Sequence, residues 1–186
     1  MIQFDNVSKS FPSGSLFSGV TLSIKKGVRV GLVGKNGSGK TTLLRMMLGL
    51  DNPDSGKIKK EKNLTIGYLQ QEIIVGSEKS ILEEVLASFP EIDGLGKQIF
   101  ALSNQLAKSP DNNEIAEELG ILQYKFESMR GWDLEKKAKK ILGGLGFVEW
   151  QFKEPMRKLS GGWRMRVALS KILIQEPDVL FLDEPT

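Results

Sequence analysis

The sequence of 186 residues contains no cysteine and no histidine. The chain can therefore form neither a disulfide nor a thiolate metal site, and no step of a reaction can use one of its own imidazoles. Hydrophobic runs are also short, because none approaches the roughly 18 residues that a membrane-spanning helix requires. The segment 1–5 lacks the basic and apolar regions of a secretory signal. We therefore expect a cytoplasmic chain without a membrane segment.

The composition is that of an ordinary globular domain, with 40% hydrophobic and 26% charged residues. A domain of this size buries roughly 70% of the surface of its unfolded chain. The net charge of +3 is too small to indicate a nucleic-acid partner by itself. A local basic cluster leaves two interpretations open, a solvated hairpin face or a contact for nucleic acid. Its members are Lys57, Lys59, Lys60 and Lys62.

Residues 34–41 carry the most informative motif. Their sequence, GKNGSGKT, fits G-x-x-x-x-G-K-[ST], a loop that cradles phosphates. The preceding residues 28–33 predict a buried strand, and residues 42–48 predict a helix that stops at Gly49. A strand, a glycine loop and a helix aim backbone N–H groups at a polyphosphate, so we predict a nucleoside triphosphate site. Its predicted nucleotide-binding residues are Gly34, Lys35, Asn36, Gly37, Ser38, Gly39, Lys40, Thr41 and Thr42.

A second motif supplies carboxylates. Residues 179–182, VLFL, are typical of a buried parallel strand, and Asp183 and Glu184 follow them directly. A carboxylate at the end of such a strand can hold Mg²⁺ together with the Thr41 hydroxyl, while Lys40 neutralises the β/γ-phosphates. Neighbouring residues of an extended chain point in opposite directions. One carboxylate can thus face the metal, with Asp183 as the expected ligand, while the other polarises a water molecule.

The flanking segments differ in their periodicity. Apolar residues alternate with polar ones near residues 2–7 and 20–24, which predicts antiparallel strands. From about residue 80 to 143 the pattern is helical, and a turn at residues 109–112 divides two apolar stripes, so we predict a helical hairpin whose stripes pack on each other. The stripes are Leu95, Ile99, Leu102 and Leu106, then Ile115, Leu119, Leu122, Phe126 and Met129.

The segment LSGGW at residues 159–163 suggests a second anion site. Ser160 is a favourable helix N-cap, and Gly161 and Gly162 allow a phosphate to approach the helix N-terminus. With the phosphate loop before it and the carboxylate strand after it, the sequence resembles the ATP-binding cassette (ABC) superfamily.

Three details resemble the ABC-F subfamily, the soluble translation-associated ATPases. Trp163 stands where transporter cassettes usually carry glutamine. The segment IGYLQQE at residues 66–72 is similar to the subfamily's Q-loop, with Gln71 as the matching glutamine and its neighbour Gln70 as a competitor. The stretch between this loop and Ser160 is longer than in a typical transporter cassette. The additional residues lie in the hairpin of about residues 94–130, where this subfamily carries its arm. The hairpin is short for such an arm.

The resemblance implies an α/β fold, a P-loop NTPase cassette with an N-terminal antiparallel β subdomain and an inserted helical subdomain that bears a hairpin arm. It divides the single domain 1–186 into the β subdomain with the P-loop core at 1–79, the helical subdomain at 80–158, and the signature helix with the Walker B strand at 159–186. The family pattern continues past Thr186 with further core strands and a switch histidine. We therefore expect an incomplete first cassette whose missing C-terminal strands leave a sheet edge exposed, and hence a marginally stable chain.

The resemblance also assigns roles. Phe11 would stack on adenine, with a strand-end core phenylalanine as the alternative and Phe17 as a weaker candidate. Gln71 would contact Mg²⁺ and sense the attacking water, and Glu184 would be the general base. The signature residues would contact the γ-phosphate of an ATP held by another cassette. These are Ser160, Gly161 and Gly162.

The implied activity is ATP hydrolysis with Mg²⁺, coupled to closure of two cassettes and directed at the ribosome near the exit-site tRNA. The partners are thus a second cassette and the ribosome, and the isolated chain is expected to be nearly inactive. Two alternatives remain open at this point. The chain could be the nucleotide-binding subunit of an ABC transporter, or a truncated fragment that binds nucleotide without turnover.

Overall fold

A computed structural model describes residues 1–12, 14–70 and 76–183, which form two compact units. The first unit comprises Met1–Gln71 and Pro177–Pro185, and the second comprises Glu72–Glu176. The predicted residues Gln71 and Glu184 lie outside the described residues.

An antiparallel sheet begins the first unit. Its strands β1 (Ile2–Phe11), β2 (Gly14–Ile24) and β3 (Ser55–Lys60) lie in the order β2-β1-β3. Phe4 of β1 is opposite Leu22 on one side and Ile58 on the other, so one face of the sheet collects apolar side chains. The antiparallel N-terminal sheet predicted from the alternation is confirmed.

Helix α1 (Lys40–Leu48) and two parallel strands complete this unit. Strand β4 (Ile66–Leu69) pairs with β5 (Val179–Leu182) along the whole length of both. Helix α1 ends as predicted, since Gly49 has a φ of 84° and donates its N–H to the carbonyl of Met46 at 3.1 Å. One core joins these elements to the antiparallel sheet. Its buried members are Ile2, Phe4, Val7, Leu43, Met46, Met47 and Phe181.

The prediction of a buried strand at residues 28–33 is wrong for this structure. The segment has no strand assignment, and Val30 and Val33 are 62% and 94% exposed. An apolar run becomes a strand only when a neighbour accepts its backbone hydrogen bonds. In the described part of the chain, β4 and β5 pair only with each other, so no ladder includes this run.

The second unit is helical. Its helices are α2 (Ile81–Leu86), α3 (Pro90–Lys108), α4 (Asn113–Ser128), α5 (Gly131–Gly144) and α6 (Gly161–Leu173), with 3₁₀ turns at Glu149–Lys153 and Met156–Lys158. Helices α3 and α4 form the predicted hairpin, and the Asn112 side chain caps α4 by accepting the N–H of Ile115 at 3.1 Å. The apolar stripes pack on each other as expected, around Leu95, Ile99, Leu119 and Phe126.

A separate core lies between the remaining helices of this unit, α2, α5 and α6. Its buried residues are Ile81, Val85, Ala138, Leu142, Phe147, Phe152, Met156, Val167 and Ile174. Over the described residues, every helix is too short or too polar to cross a bilayer.

Candidate nucleotide-binding site

The phosphate loop is shaped by left-handed glycines. Gly37 and Gly39 have φ angles of 78° and 92°, a region that residues with a Cβ rarely adopt. Gly39 is the N-cap of α1, and its carbonyl accepts the N–H of Leu43 at 2.8 Å. Thr41 and Thr42 follow in the first turn of this helix. The free N–H groups of that turn carry the positive end of the helix dipole, which favours an anion.

Lys40 closes the loop on itself. Its ammonium donates to the carbonyl of Gly34 at 3.0 Å and to that of Lys35 at 3.2 Å. The Ser38 N–H also donates to the Lys35 carbonyl, at 3.1 Å. The loop thus holds a positive charge at its centre before any anion is bound, which is the arrangement that a polyphosphate site needs.

A Cβ on either of two loop glycines would lie against a neighbouring side chain. A Cβ on Gly34 would lie 2.5 Å from the hydroxyl oxygen of Ser38, and a Cβ on Gly39 would lie 2.7 Å from Leu16. Phe17 would be 3.2 Å from that second Cβ. A side chain at either position would force these neighbours to move, and at Gly39 it would also meet a left-handed backbone. The residues of the loop fit a bound triphosphate.

Asp183 directly follows β5 and is 8% exposed. Its N–H donates to the carbonyl of Leu69, and the Tyr68 hydroxyl donates to its Oδ2 at 3.3 Å. The sequence did not predict this role of Tyr68. In the structure Tyr68 lies on β4, opposite Phe181 of the neighbouring strand β5. The carboxylate is thus oriented by its neighbouring strand.

The oxygen donors suit Mg²⁺. This metal prefers one or two protein oxygens completed by phosphates and water, and Thr41 and Asp183 supply such atoms. Helix α1 and strand β5, which carry them, share one core through Leu43 and Phe181. No cluster of three acidic or other ligating side chains occurs in the described residues.

Phe11, at the end of β1, is 47% exposed. It is therefore not a core residue, which removes the alternative interpretation of this side chain. The Lys9 ammonium lies 5.9 Å from the centre of its ring. An exposed aromatic face at the end of a strand is available for stacking on a base.

An ion-pair cluster that sequence reasoning missed supports the strand end that carries Phe11. The Asp54 carboxylate accepts from the Lys9 ammonium at 2.8 Å and from the N–H and hydroxyl of Ser10 at 2.7 and 2.8 Å. The hydrogen bonds from Lys9 and Ser10 lower the pKa of Asp54 to about 2. Strand β1 is thus fixed just before its aromatic end.

The signature segment belongs to the second unit. Helix α6 begins at Gly161 with Ser160 as its N-cap, as predicted, and the Ser160 carbonyl accepts the N–H of Arg164 at 2.9 Å. The Ser160 side chain makes no capping hydrogen bond, contrary to the usual role of serine there. Apart from the neighbouring backbone of the helix itself, no heavy atom of the described residues lies within 4 Å of the position that a Cβ would take on Gly161 or Gly162. This helix end is therefore open to a ligand.

Comparison with known proteins identifies the family. Residues 17–186 match the family model described as ABC transporter. Over its whole length the chain is 36% identical to ABC transporter F family member 2 of Arabidopsis thaliana and 34% identical to ATP-binding cassette sub-family F member 3 of Homo sapiens, of which it covers 28% and 25%. It is also 36% identical, over 97% of its length, to the energy-dependent translational throttle protein EttA of Mycobacterium tuberculosis, of which it covers 32%. The chain thus spans about a third or less of these relatives.

Solved structures share the fold. A dimeric post-hydrolysis structure of the cassette MJ0796 bound to ADP and Pi matches the whole chain with a TM-score of 0.61 at 23% identity, and the chain covers 75% of it. The structure of cbiO1 from Clostridium perfringens matches with a TM-score of 0.64 at 23% identity, with 65% of that chain covered. The predicted P-loop cassette fold is confirmed. The chain belongs to the ABC transporter family as an ATP-binding cassette, and the curated relatives that it matches along its whole length include members of the F subfamily.

Proposed function

We propose that this chain is the first ATP-binding cassette of a soluble ABC-F-type ATPase that acts on the ribosome. The observation that carries the proposal is the glycine loop closed around the Lys40 ammonium, in the same unit as the buried carboxylate of Asp183. A positive loop and an oriented oxygen ligand are the two parts that Mg²⁺-dependent phosphoryl transfer requires.

The residues of the first unit have different roles in binding and hydrolysing ATP. Lys40 and the N–H groups of the first turn of α1 bind the phosphates. Thr41 and Asp183, with Gln71, would hold Mg²⁺, which supplies charge neutralisation between the phosphates when bound. Glu184 would take a proton from the attacking water. Phe11 would stack on the adenine ring, a kind of contact that contributes about 1–3 kcal/mol per base.

The signature turn would act on a second cassette. Ser160, Gly161 and Gly162 begin α6 in the second unit, and the Ser160 side chain does not cap this helix end. A dimeric cassette among the structural neighbours supports a partner that brings its own nucleotide. ATP would then close two cassettes as a clamp, and hydrolysis would open them. Without the opposing cassette, the isolated chain would hydrolyse ATP slowly.

The target is proposed from the relatives. One of them is named a translational throttle protein. The chain also carries a helical hairpin, α3 and α4, where the resemblance places the ABC-F arm. The closed form would bind in the cytoplasm near the exit-site tRNA of the ribosome, with the hairpin directed toward the peptidyl-transferase region.

The test uses the complete polypeptide that contains this cassette. The Glu184→Gln variant should bind ATP without hydrolysing it and should co-sediment with ribosomes when ATP is present. The same variant with Lys40→Ala should remain in the supernatant, because closure needs bound ATP. Absence of co-sedimentation by Glu184→Gln with ATP would reject the ribosomal target, and wild-type turnover that survives Glu184→Gln would reject the assigned base.

A further inference from the structure

The residues that begin α6 contribute few side-chain contacts to its first turn. Its two glycines, Gly161 and Gly162, are exposed, and their missing side chains leave open space. The Ser160 hydroxyl makes no capping hydrogen bond. Glycine also favours the unfolded chain by its larger backbone entropy. The order of this turn must therefore come from the residues that flank it.

Trp163 is the first side chain of α6 that anchors the turn. Its ring meets the ring of Phe147 edge-on, with the centroids 4.7 Å apart and the planes at 65°. Phe147 is 4% exposed and belongs to the main core of the second unit, against which Trp163 packs. An edge-to-face pair of this kind is a favoured geometry for aromatic rings. Trp163 thus joins the signature turn to the core from the helix side, and Leu159 packs against the same core just before the turn.

Arg166 holds the indole from another direction. Its Cζ lies 4.4 Å from the centre of the Trp163 ring, and its Nη1 donates to the carbonyl of Leu145 at 3.0 Å. Gly146, with a φ of 93°, makes room for this contact, since a Cβ there would lie 3.0 Å from Nη1. Arg164 adds a bond from its Nη2 to the carbonyl of Arg157, in the segment before the signature, at 3.2 Å.

We infer that Trp163, together with Arg166, is a positioning residue that fixes the first turn of α6 in the orientation in which it meets a phosphate. The inference rests on the proposed function, in which this turn contacts the ATP of a second cassette. Because binding groups act best when their geometry is set beforehand, the indole contributes to catalysis without touching the nucleotide. It also gives a physical reason for tryptophan at a position where a small polar residue could not reach Phe147.

The direct test is hydrogen exchange of the Arg164 amide, which donates to the Ser160 carbonyl at 2.9 Å and closes the first turn. Replacing Trp163 by Gln removes both the edge-on ring contact and the cation–π contact, so the amide should exchange about tenfold faster. Trp163→Phe retains an edge on Phe147 and should recover part of the protection. Trp150→Gln is the matched control, because Trp150 is 68% exposed.

Exchange in the α3–α4 hairpin separates a local effect from general unfolding, since its core is distinct from that around Phe147. It should be unchanged in Trp163→Gln. Equal Arg164 exchange in wild type and Trp163→Gln would overturn the inference, as would an equal acceleration throughout the hairpin.

A second experiment uses the complete two-cassette polypeptide. Trp163→Gln should lower kcat for ATP about tenfold with an unchanged KM, since the affected turn lies outside the phosphate loop that binds this chain's own ATP. An unchanged kcat would overturn the catalytic part of the inference. If the wild type itself fails to hydrolyse ATP, the proposed function fails, while the exchange measurement still decides whether Trp163 orders the turn.

Discussion

Each of the two units has a glycine-flanked helix N-terminus for which we propose a phosphate ligand, but the two helix starts are built by different means. In the loop before α1, Gly37 and Gly39 have left-handed conformations and the chain closes around the Lys40 ammonium. At the start of α6, Gly161 and Gly162 are ordinary helical residues in open space. The phosphate loop therefore carries its own positive charge. The start of α6 is a bare helix end that depends on Trp163 and Arg166 for its orientation.

The largest expected effect is a loss of affinity for MgATP at the phosphate loop. Lys40→Ala removes the charge at the centre of the loop, so affinity for MgATP should fall roughly a hundredfold, as expected for the loss of charged hydrogen bonds. Lys35→Ala is the control for net charge, because Lys35 enters the described loop contacts through its backbone carbonyl. Isothermal titration measures both. Equal losses in the two variants would mean that net charge alone, rather than the position of Lys40, governs binding.

A pair of glycine substitutions sharpens the comparison. Gly39→Ala places a Cβ 2.7 Å from Leu16 in a left-handed residue, which should destabilise the first unit by about 1–3 kcal/mol. Gly161→Ala adds a methyl group to open space on a helix and should raise stability by up to about 1 kcal/mol. Denaturant unfolding compares the two. A similar effect of both substitutions would contradict the distinction drawn between the two helix starts.

Tyr68→Phe tests how Asp183 is oriented. The change removes one hydrogen bond to the carboxylate and leaves the ring on β4. The Mg²⁺ concentration that gives half-maximal ATP binding should therefore rise several-fold, up to about tenfold. The affinity for ATP without metal should stay constant. Tyr124→Phe is the matched control, since that tyrosine is 77% exposed on the hairpin. A weaker affinity for metal-free ATP would indicate a direct contact with nucleotide instead.

The smallest expected effect concerns acid stability. The hydrogen bonds from Lys9 and Ser10 lower the folded-state pKa of Asp54 from 3.8 to about 2. The resulting stabilisation is present above the unfolded pKa of 3.8 and is lost as the pH falls through the folded pKa of about 2. Asp54→Asn should therefore be less stable than the wild type at neutral pH, and the difference should shrink between pH 4 and pH 2. A constant difference across this range would show that the charge of Asp54 is unimportant.

Local patterns predicted most of the architecture. The hairpin followed from apolar residues such as Leu95, Ile99 and Leu119 at helical spacing, and the phosphate loop from one motif. The run at residues 28–33 was misassigned because strand formation depends on a neighbour that the sequence does not identify. Tyr68 and Asp54 were missed because their partners, Asp183 and Lys9, are 115 and 45 residues away along the chain, so only the folded structure brings them together.

The most direct test of the central claim is a titration of this chain with MgATP in three forms: wild type, Lys40→Ala and Ser160→Ala. If the phosphate loop binds this chain's own ATP and the signature serves another cassette, Ser160→Ala should bind as tightly as the wild type, and Lys40→Ala should bind roughly a hundredfold more weakly. Equal weakening by Ser160→Ala and Lys40→Ala would contradict the account, because both segments would then serve the same nucleotide.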